Sequence, residues 1–253
     1  MEKQVQTINS LTRGLMILDL IHEHGQIGVT ELGKYLGVNK SSAYRLLKTL
    51  EENGYVEQVA EGGKYTLGLK LLKFRERILD SYEIRTIARP FLEELTRVTG
   101  EAAGLSVRKG DEFLLIDCCS SPQYLGVILQ VGDREEFNCT AHGKAMFAEL
   151  PKEEQMRLIE GASLIKHTAN TICDAGELIA EARVNKARGY AVDDEETTLG
   201  MRCVASAVYD FSGSVVAAIG ISGPVDRVTK EKLGQYAETV SDIAKRISRR
   251  LGF

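Results

Sequence analysis

The chain lacks any apolar run long enough to cross a bilayer, any basic segment leading into an apolar one, and any lipid-attachment signal. Those absences point away from a membrane protein and toward the cytoplasm. A disulfide framework is missing too. Five cysteines is an odd number, Cys118 and Cys119 are adjacent, and no even spacing runs through the set, so reduced thiols are expected. Nor is there a strongly basic balance: the net charge of −4 argues on its own against nucleic-acid binding. The charge is unevenly spread, however. Residues 1–75 carry 10 Lys and Arg against 8 Asp and Glu, and the remainder 22 against 28, so any basic footprint is local. What is there is an ordinary globular composition, 43% apolar and 27% charged over 253 residues, enough for one large domain or two modest ones.

The stretch from Asn39 to Gly54 carries the first functional signal. As a helix it places Ala43, Leu46, Leu47 and Leu50 on one apolar stripe, with Ser41, Tyr44, Arg45 and Lys48 opposite and Ser42 beside them. Asn39 is a good N-cap and Gly54 a good stop. Short hydroxyls, a phenol and cations suit phosphate oxygens and base edges, although the solvated face of an ordinary helix can have the same composition. The flanking segments decide between these readings. Upstream, Ser10 is expected to cap a helix from Leu11 to about His24 with a seam of Leu11, Leu15 and Leu18, widened by Met16, Ile17, Leu20 and Ile21. Ile27 and Val29 then lead to a short helix capped by Thr30 and stopped by Gly37. Two helices joined by a tight glycine turn make a helix-turn-helix. Downstream the apolar period falls to two. Tyr55–Val59 and Lys64–Leu67 read as strands around Glu61-Gly62-Gly63, a wing with Lys64 just past its tip.

Leu69 to Leu79 reads as a connecting helix with dense mixed charge. Tyr82 to Thr99 is an amphipathic helix that Pro90 is expected to kink or divide. Strands are expected at Ala102–Val107, Glu112–Cys118, Leu125–Val131, Arg202–Tyr209 and Ser214–Ser222. Helices are expected at Ala141–Leu150, Lys152–Glu160, Asp174–Gly189, where Asp174 and Glu177 match a capping box, and Thr229–Arg250. Hairpins with helices at intervals, without a strand–helix–strand series or an internal repeat, indicate an α+β sheet domain.

This order, together with the segments NCTAHGKAMFAELP, GYAVDDEETTLGMRCVASAVYD and AAIGISGP, resembles the isocitrate-lyase-regulator (IclR) family of bacterial transcription factors over essentially the full length. The resemblance implies a winged helix-turn-helix at residues 1–70, a linker helix at 71–81 and a GAF-like antiparallel-sheet effector domain at 82–253. It implies a regulator rather than an enzyme, with no cofactor, that binds double-stranded operator DNA and a small organic acid as a homodimer or dimer of dimers. On the DNA side, Ser41, Ser42, Tyr44 and Arg45 are the candidates for base or phosphate contact, and Lys40, Lys48 and Lys64 for phosphate. Carried over position by position, the family's effector pocket falls on Ala141, His142, Gly143, Asp193, Cys203 and Ser222, with Val127 and Met201 as apolar lining. Two positions depart from the family pattern. Gly220 stands where many relatives have a second serine, and His142 where a small or aliphatic residue is usual.

Two readings of a different class compete at the same residues. Cys139-x-x-His142 is a spacing a metal can use, and with Asp193 and Cys203 it would make a zinc- or iron-binding metal or redox sensor. Cys139 with His142 could also be a nucleophile and base, but no orienting residue or oxyanion signal accompanies them. In the acidic run Asp193-Asp194-Glu195-Glu196, only Asp193 is expected to point inward. The Cys118-Cys119 pair is read as strand packing.

Overall fold

Apolar residues at helical spacing bury three helices against one another in Met1–Ser81, the first of two units into which contacts divide the chain; the second is Tyr82–Phe253. The computed structural model describes residues 8–59, 63–74 and 83–253. Helix α1 (Asn9–His24) buries Ile17 and Ile21, α2 (Val29–Tyr35) buries Leu32, and α3 (Lys40–Glu52) buries Ala43 and Leu47. An antiparallel sheet closes this core, with β1 (Ile27–Gly28) and β2 (Val56–Val59) on either side of β3 (Lys64–Leu67). The Asn39 side chain accepts from the Ser42 N–H at 2.8 Å and caps α3 as expected. Gly54, at φ +77°, turns the chain out of that helix. There Gly68 passes so close that a Cβ on it would lie 2.4 Å from the Gly54 carbonyl oxygen.

Local expectations give way where tertiary pairing intervenes. Ile27 and Gly28 pair with Tyr65 and Lys64 as a third wing strand, so α2 starts directly at Val29 and its N-cap is Gly28 rather than Thr30. Helix α1 is capped at Ile8 without a side-chain bond, and Ser10 lies inside it. Its Leu11 and Leu15 are 61% and 56% exposed, and the buried residues of the widened seam are Ile17 and Ile21. The expected linker helix is described only as a 3₁₀ turn at Leu69–Leu71 followed by helical residues 72–74. Residues 60–62 and 75–82, and with them part of the expected turn and linker helix, lie outside the described residues.

The second unit is built on a five-stranded, wholly antiparallel sheet. Its order is β5 (Glu112–Cys119), β4 (Ala102–Lys109), β8 (Val215–Pro224), β7 (Met201–Tyr209) and β6 (Ala191–Asp194). Helices α4 (Glu83–Thr99) and α8 (Leu233–Arg250) pack with β4 and β7, while α5 (Ala141–Glu149) packs with β7, β8 and α7 (Ala175–Arg188); α6 (Lys152–Gly161) follows α5. Register separates the two faces. Ala191, Ala205, Gly220 and Gly104 stand in one row across four strands. Every side chain from Ala141 to Ala148 is buried over this face. Small residues on both sides let helix and sheet backbones approach closely.

Three expectations here are corrected. Leu125–Val131 is not a strand: Leu125 and Ile128 are 73% and 83% exposed, Gly132 sits at φ +106°, and the chain rejoins the edge of β5 only at residues 132–135. Helix α4 runs unbroken through Pro90, because Phe91, Leu92 and Leu95 bury on one side and Arg89 bonds Asp117 at 3.0 Å. The acidic run begins in β6, a strand the periodicity did not reveal, and its Glu196 is buried. As a check on the capping argument, Asn39→Ala should lower stability by about 1 kcal/mol and Asn39→Gly by only a few tenths. Urea denaturation followed by circular dichroism measures both, and equal losses would count against the side-chain cap.

Candidate functional site

The outer face of α3 presents Lys40, Ser41, Tyr44, Arg45 and Lys48 to solvent, with Ser42 half-buried and Lys64 exposed at the start of β3. Lys48 is held at 2.8 Å by Glu51, a hydrogen bond that raises its pKa. Lys40, Arg45 and Lys64 have no acidic partner among the described residues. Ser41, Tyr44 and Lys48 make one stripe. Ser42 and Arg45 stand on its flank, where with Leu46 and Leu50 they line a groove of about 780 Å³ against Leu11 and Leu15 of α1. The face therefore combines unpaired cations with short donors, the chemistry that phosphates and base edges require.

In the second unit, Asp193, Cys203 and Ser222 are cross-strand neighbours on β6, β7 and β8. Thr140 caps α5 by accepting the Gly143 N–H at 3.0 Å. The N–H groups of Ala141 and His142 have no acceptor among the described residues, which leaves a buried partial positive charge at the helix start. His142 is 3% exposed; its Nε2–H donates to the Gly104 carbonyl at 3.0 Å, and its Nδ1 lies 3.7 Å from Glu135. A carbonyl only accepts, so the proton sits on Nε2. Cys203 stands opposite Ser222 across β7 and β8, and burial pushes its thiol well up, leaving it a neutral weak donor. Met201 packs on the apolar cluster containing Cys203 and Ala141; Val127 is not among the residues packed there.

Asp193 is engaged by its own turn. Its carboxylate accepts from the Glu196 N–H at 2.7 Å, the Thr197 N–H at 3.3 Å and the Thr197 hydroxyl. Burial still raises its pKa against those bonds. At Gly220 a Cβ would fall 2.4 Å from the Val204 carbonyl oxygen, so a serine has no room on this backbone.

The four-residue metal set is not assembled. Cys139 Sγ turns to Glu136 Oε2 at 3.4 Å, whereas the His142 ring turns to Gly104 and Glu135. The same geometry removes the nucleophile–base pair, and burial holds the Cys139 thiol protonated. Sequence reasoning also missed a buried charge pair. Lys144, 1% exposed, meets Glu196 Oε1 at 2.5 Å and Glu181 Oε1 at 3.7 Å. The signal was present: a lysine among Ala, Gly, Met and Phe on a helix apolar all round must be buried and therefore paired.

Two domain families match this chain: the bacterial transcriptional regulator IclR C-terminal domain over residues 76–249, and the IclR helix-turn-helix domain over residues 10–60. The chain belongs to the IclR family. Among IclR-type relatives, the HTH-type transcriptional regulator XynR of Escherichia coli K12 is 34% identical over 247 residues, 97% of this chain and 98% of that one. KdgR of the same organism is 32% identical over 253 residues, covering 100% and 96%. The Thermotoga maritima IclR crystal structure aligns over 98% of this chain and 100% of its own, with TM-score 0.78 and 32% identity. As an IclR family member the protein is a DNA-binding transcription regulator, and no helix among its described residues is long and apolar enough to cross a membrane.

Arg45→Ala and Lys64→Ala should separate base from phosphate contact in a mobility-shift titration. A lost phosphate contact weakens all sequences alike and lowers the salt slope by about one unit. A lost base contact relaxes specificity at one position, and unchanged binding in both variants would remove this face from the groove. A second expectation concerns pH. Burial pushes the Glu196 carboxyl up to about 7 despite the nearby Lys144. An acid whose folded pKa lies above its unfolded one takes up a proton on folding, so its contribution to stability falls as pH rises from 4.5 to 7. Urea midpoints of Glu196→Gln should lack that component, and a slope identical to wild type would assign it elsewhere.

Proposed function

We propose that the protein is an effector-responsive regulator that holds operator DNA with α3 and the wing, and a small polar carboxylate at the start of α5. The observation that carries the second half is the pair of unaccepted N–H groups at Ala141 and His142, buried beside Cys203 and Ser222. Backbone donors at a helix N-terminus favour an anion. Ser222 supplies a hydroxyl and Cys203 a neutral thiol for a second polar group, so keto- and hydroxy-acids fit better than plain fatty acids. Asp193 does not oppose this reading, because its charge is already met by Thr197 and two backbone donors. The family names point the same way only as far as regulation of transcription; the ligand class is inferred from this chemistry.

The protein is proposed to act as a homodimer or a dimer of dimers. A single winged helix reads a short half-site, and Leu11 and Leu15 leave an apolar groove open in the same unit. His142 is the residue that sets this pocket apart from its family pattern. Its ring fills the space beside Gly104, where a Cβ would approach Cε1 to 3.4 Å. Calorimetry of wild type and His142→Leu against a panel of small keto- and hydroxy-acids should show a shifted preference with the fold retained. Identical affinities across the panel would place His142 outside the site, and no binding by either protein would remove the carboxylate pocket.

A further inference from the structure

We propose that Glu136, Cys139 and His167 form a binding site for a divalent transition ion of borderline softness, with zinc as the ion best suited to the set. The three residues each offer one ligand atom, and those atoms lie within 4.8 Å of one another. This is not the set suggested by the Cys139-x-x-His142 spacing: His142 takes no part, and the histidine comes from a loop 28 residues beyond Cys139.

Two of the three ligand separations are near those a bound ion requires, and the third lies within 4.8 Å. Ligand atoms bound at about 2.0–2.3 Å to a tetrahedral zinc stand roughly 3.3–3.6 Å apart. Cys139 Sγ and Glu136 Oε2 are 3.4 Å apart, already at that separation. His167 Nε2 and Glu136 Oε2 are 2.7 Å apart as a hydrogen-bonded pair. They must open by about half an ångström to admit an ion, and His167 is a partly exposed side chain able to do so. The loop that carries it is anchored just beyond His167. The Thr171 hydroxyl accepts from the His167 N–H at 3.1 Å and donates to the Glu196 carbonyl at 2.6 Å. Asn138, between the other two ligands, donates to the Ile172 carbonyl at 2.9 Å. The three donors are therefore presented by two segments already tied together.

A sulfur, a nitrogen and an oxygen select a borderline ion over magnesium or calcium, which require an oxygen cage. Three protein ligands leave a fourth position for water or an incoming carboxylate. Glu136 also borders a cleft of about 220 Å³, whose Asp111 and Glu112 carboxylates are paired with Arg157 and Arg134. On binding, the Cys139 sulfur exchanges its proton for the metal, and the proton leaves to solvent. Burial first and the nearby acids second hold that proton in place, and the charge of those acids is what a divalent ion would offset.

The inference stands apart from the effector reading, since zinc alone is the probe. The untagged full-length protein, stripped by a chelator, should take up one zinc per chain in competition with a chromophoric chelator. His167→Ala and Glu136→Gln should each weaken zinc by about a hundredfold or more, beyond what outer-shell changes cost. His167 lies at the surface, so that variant tests the site even if Cys139→Ser, buried in the core, fails to fold. Loaded with Co²⁺, wild type and Cys203→Ser should show a thiolate-to-cobalt charge-transfer band that Cys139→Ser lacks. Unaltered zinc affinity in His167→Ala would overturn the site. So would substoichiometric uptake by wild type, or a band lost in Cys203→Ser and retained in Cys139→Ser.

Discussion

A lysine ammonium buried in the middle of a helix has to be neutralised where it stands. Lys144 meets that requirement through Glu196 at 2.5 Å and Glu181 at 3.7 Å, so one cation holds α5, α7 and the turn after β6 together. That turn is further closed by Asp193, which collects the Glu196 and Thr197 N–H groups. Its Glu195 adopts φ +59°, a conformation non-glycine residues rarely occupy. Thr168 and Thr171 add hydroxyl donors to the Glu195 and Glu196 carbonyls from the next loop. The aim of the first turn of α5 at the sheet follows from this network. Because an unpaired buried charge costs several kcal/mol, the charged groups and the fold around α5 are retained together.

The same helix shows how a binding site is made from residues that are individually unremarkable. Gly143 lets α5 start against the Glu136 backbone, where a Cβ would fall 2.6 Å from the carbonyl oxygen. Gly104 leaves room on the sheet for the His142 ring, and Gly220 for the backbone of β7 beside it. Thr140 satisfies one of the orphan N–H groups and leaves two, so the helix dipole ends in a buried position with donors to spare. His142 is buried beside them, its ring bonded to the Gly104 carbonyl. In the N-terminal unit the logic is reversed: α3 buries Ala43 and Leu47 and turns its cations outward, where an anion as large as a nucleic-acid backbone can reach them.

Much of this was legible before any coordinates. Most of the helices, the Asn39 cap, the wing and the start of α5 at Ala141 follow from patterns with a short reach along the chain, whereas Asp193, Cys203 and Ser222 were reached only through the family resemblance and are set side by side by strand pairing. A cap depends on three residues, a helix on its 3.6-residue period, and an antiparallel hairpin on alternation around a turn. The failures share the opposite property. Ile27 and Gly28 become a strand only because Tyr65 and Lys64, far along the chain, offer them hydrogen bonds. Leu125–Val131 has an apolar composition but no partner strand along its length. Pro90 sits inside a helix because the burial of Ala88, Phe91, Leu92 and Leu95 on one face outweighs its missing N–H.

For the chemistry the division is the same. By itself the sequence determined which residue types were available near the start of α5, and that the protein carries a polar helix suited to DNA next to a wing. It did so because local periodicity and capping act over a few residues. Only the tertiary structure decided their partners. His142 turned to a strand carbonyl rather than to Cys139, Asp193 closed its own turn, Glu196 left the surface for Lys144, and Cys139 met a histidine from a distant loop. Each of these choices is made by burial, which forces a polar group to find a partner wherever the fold brings one within reach.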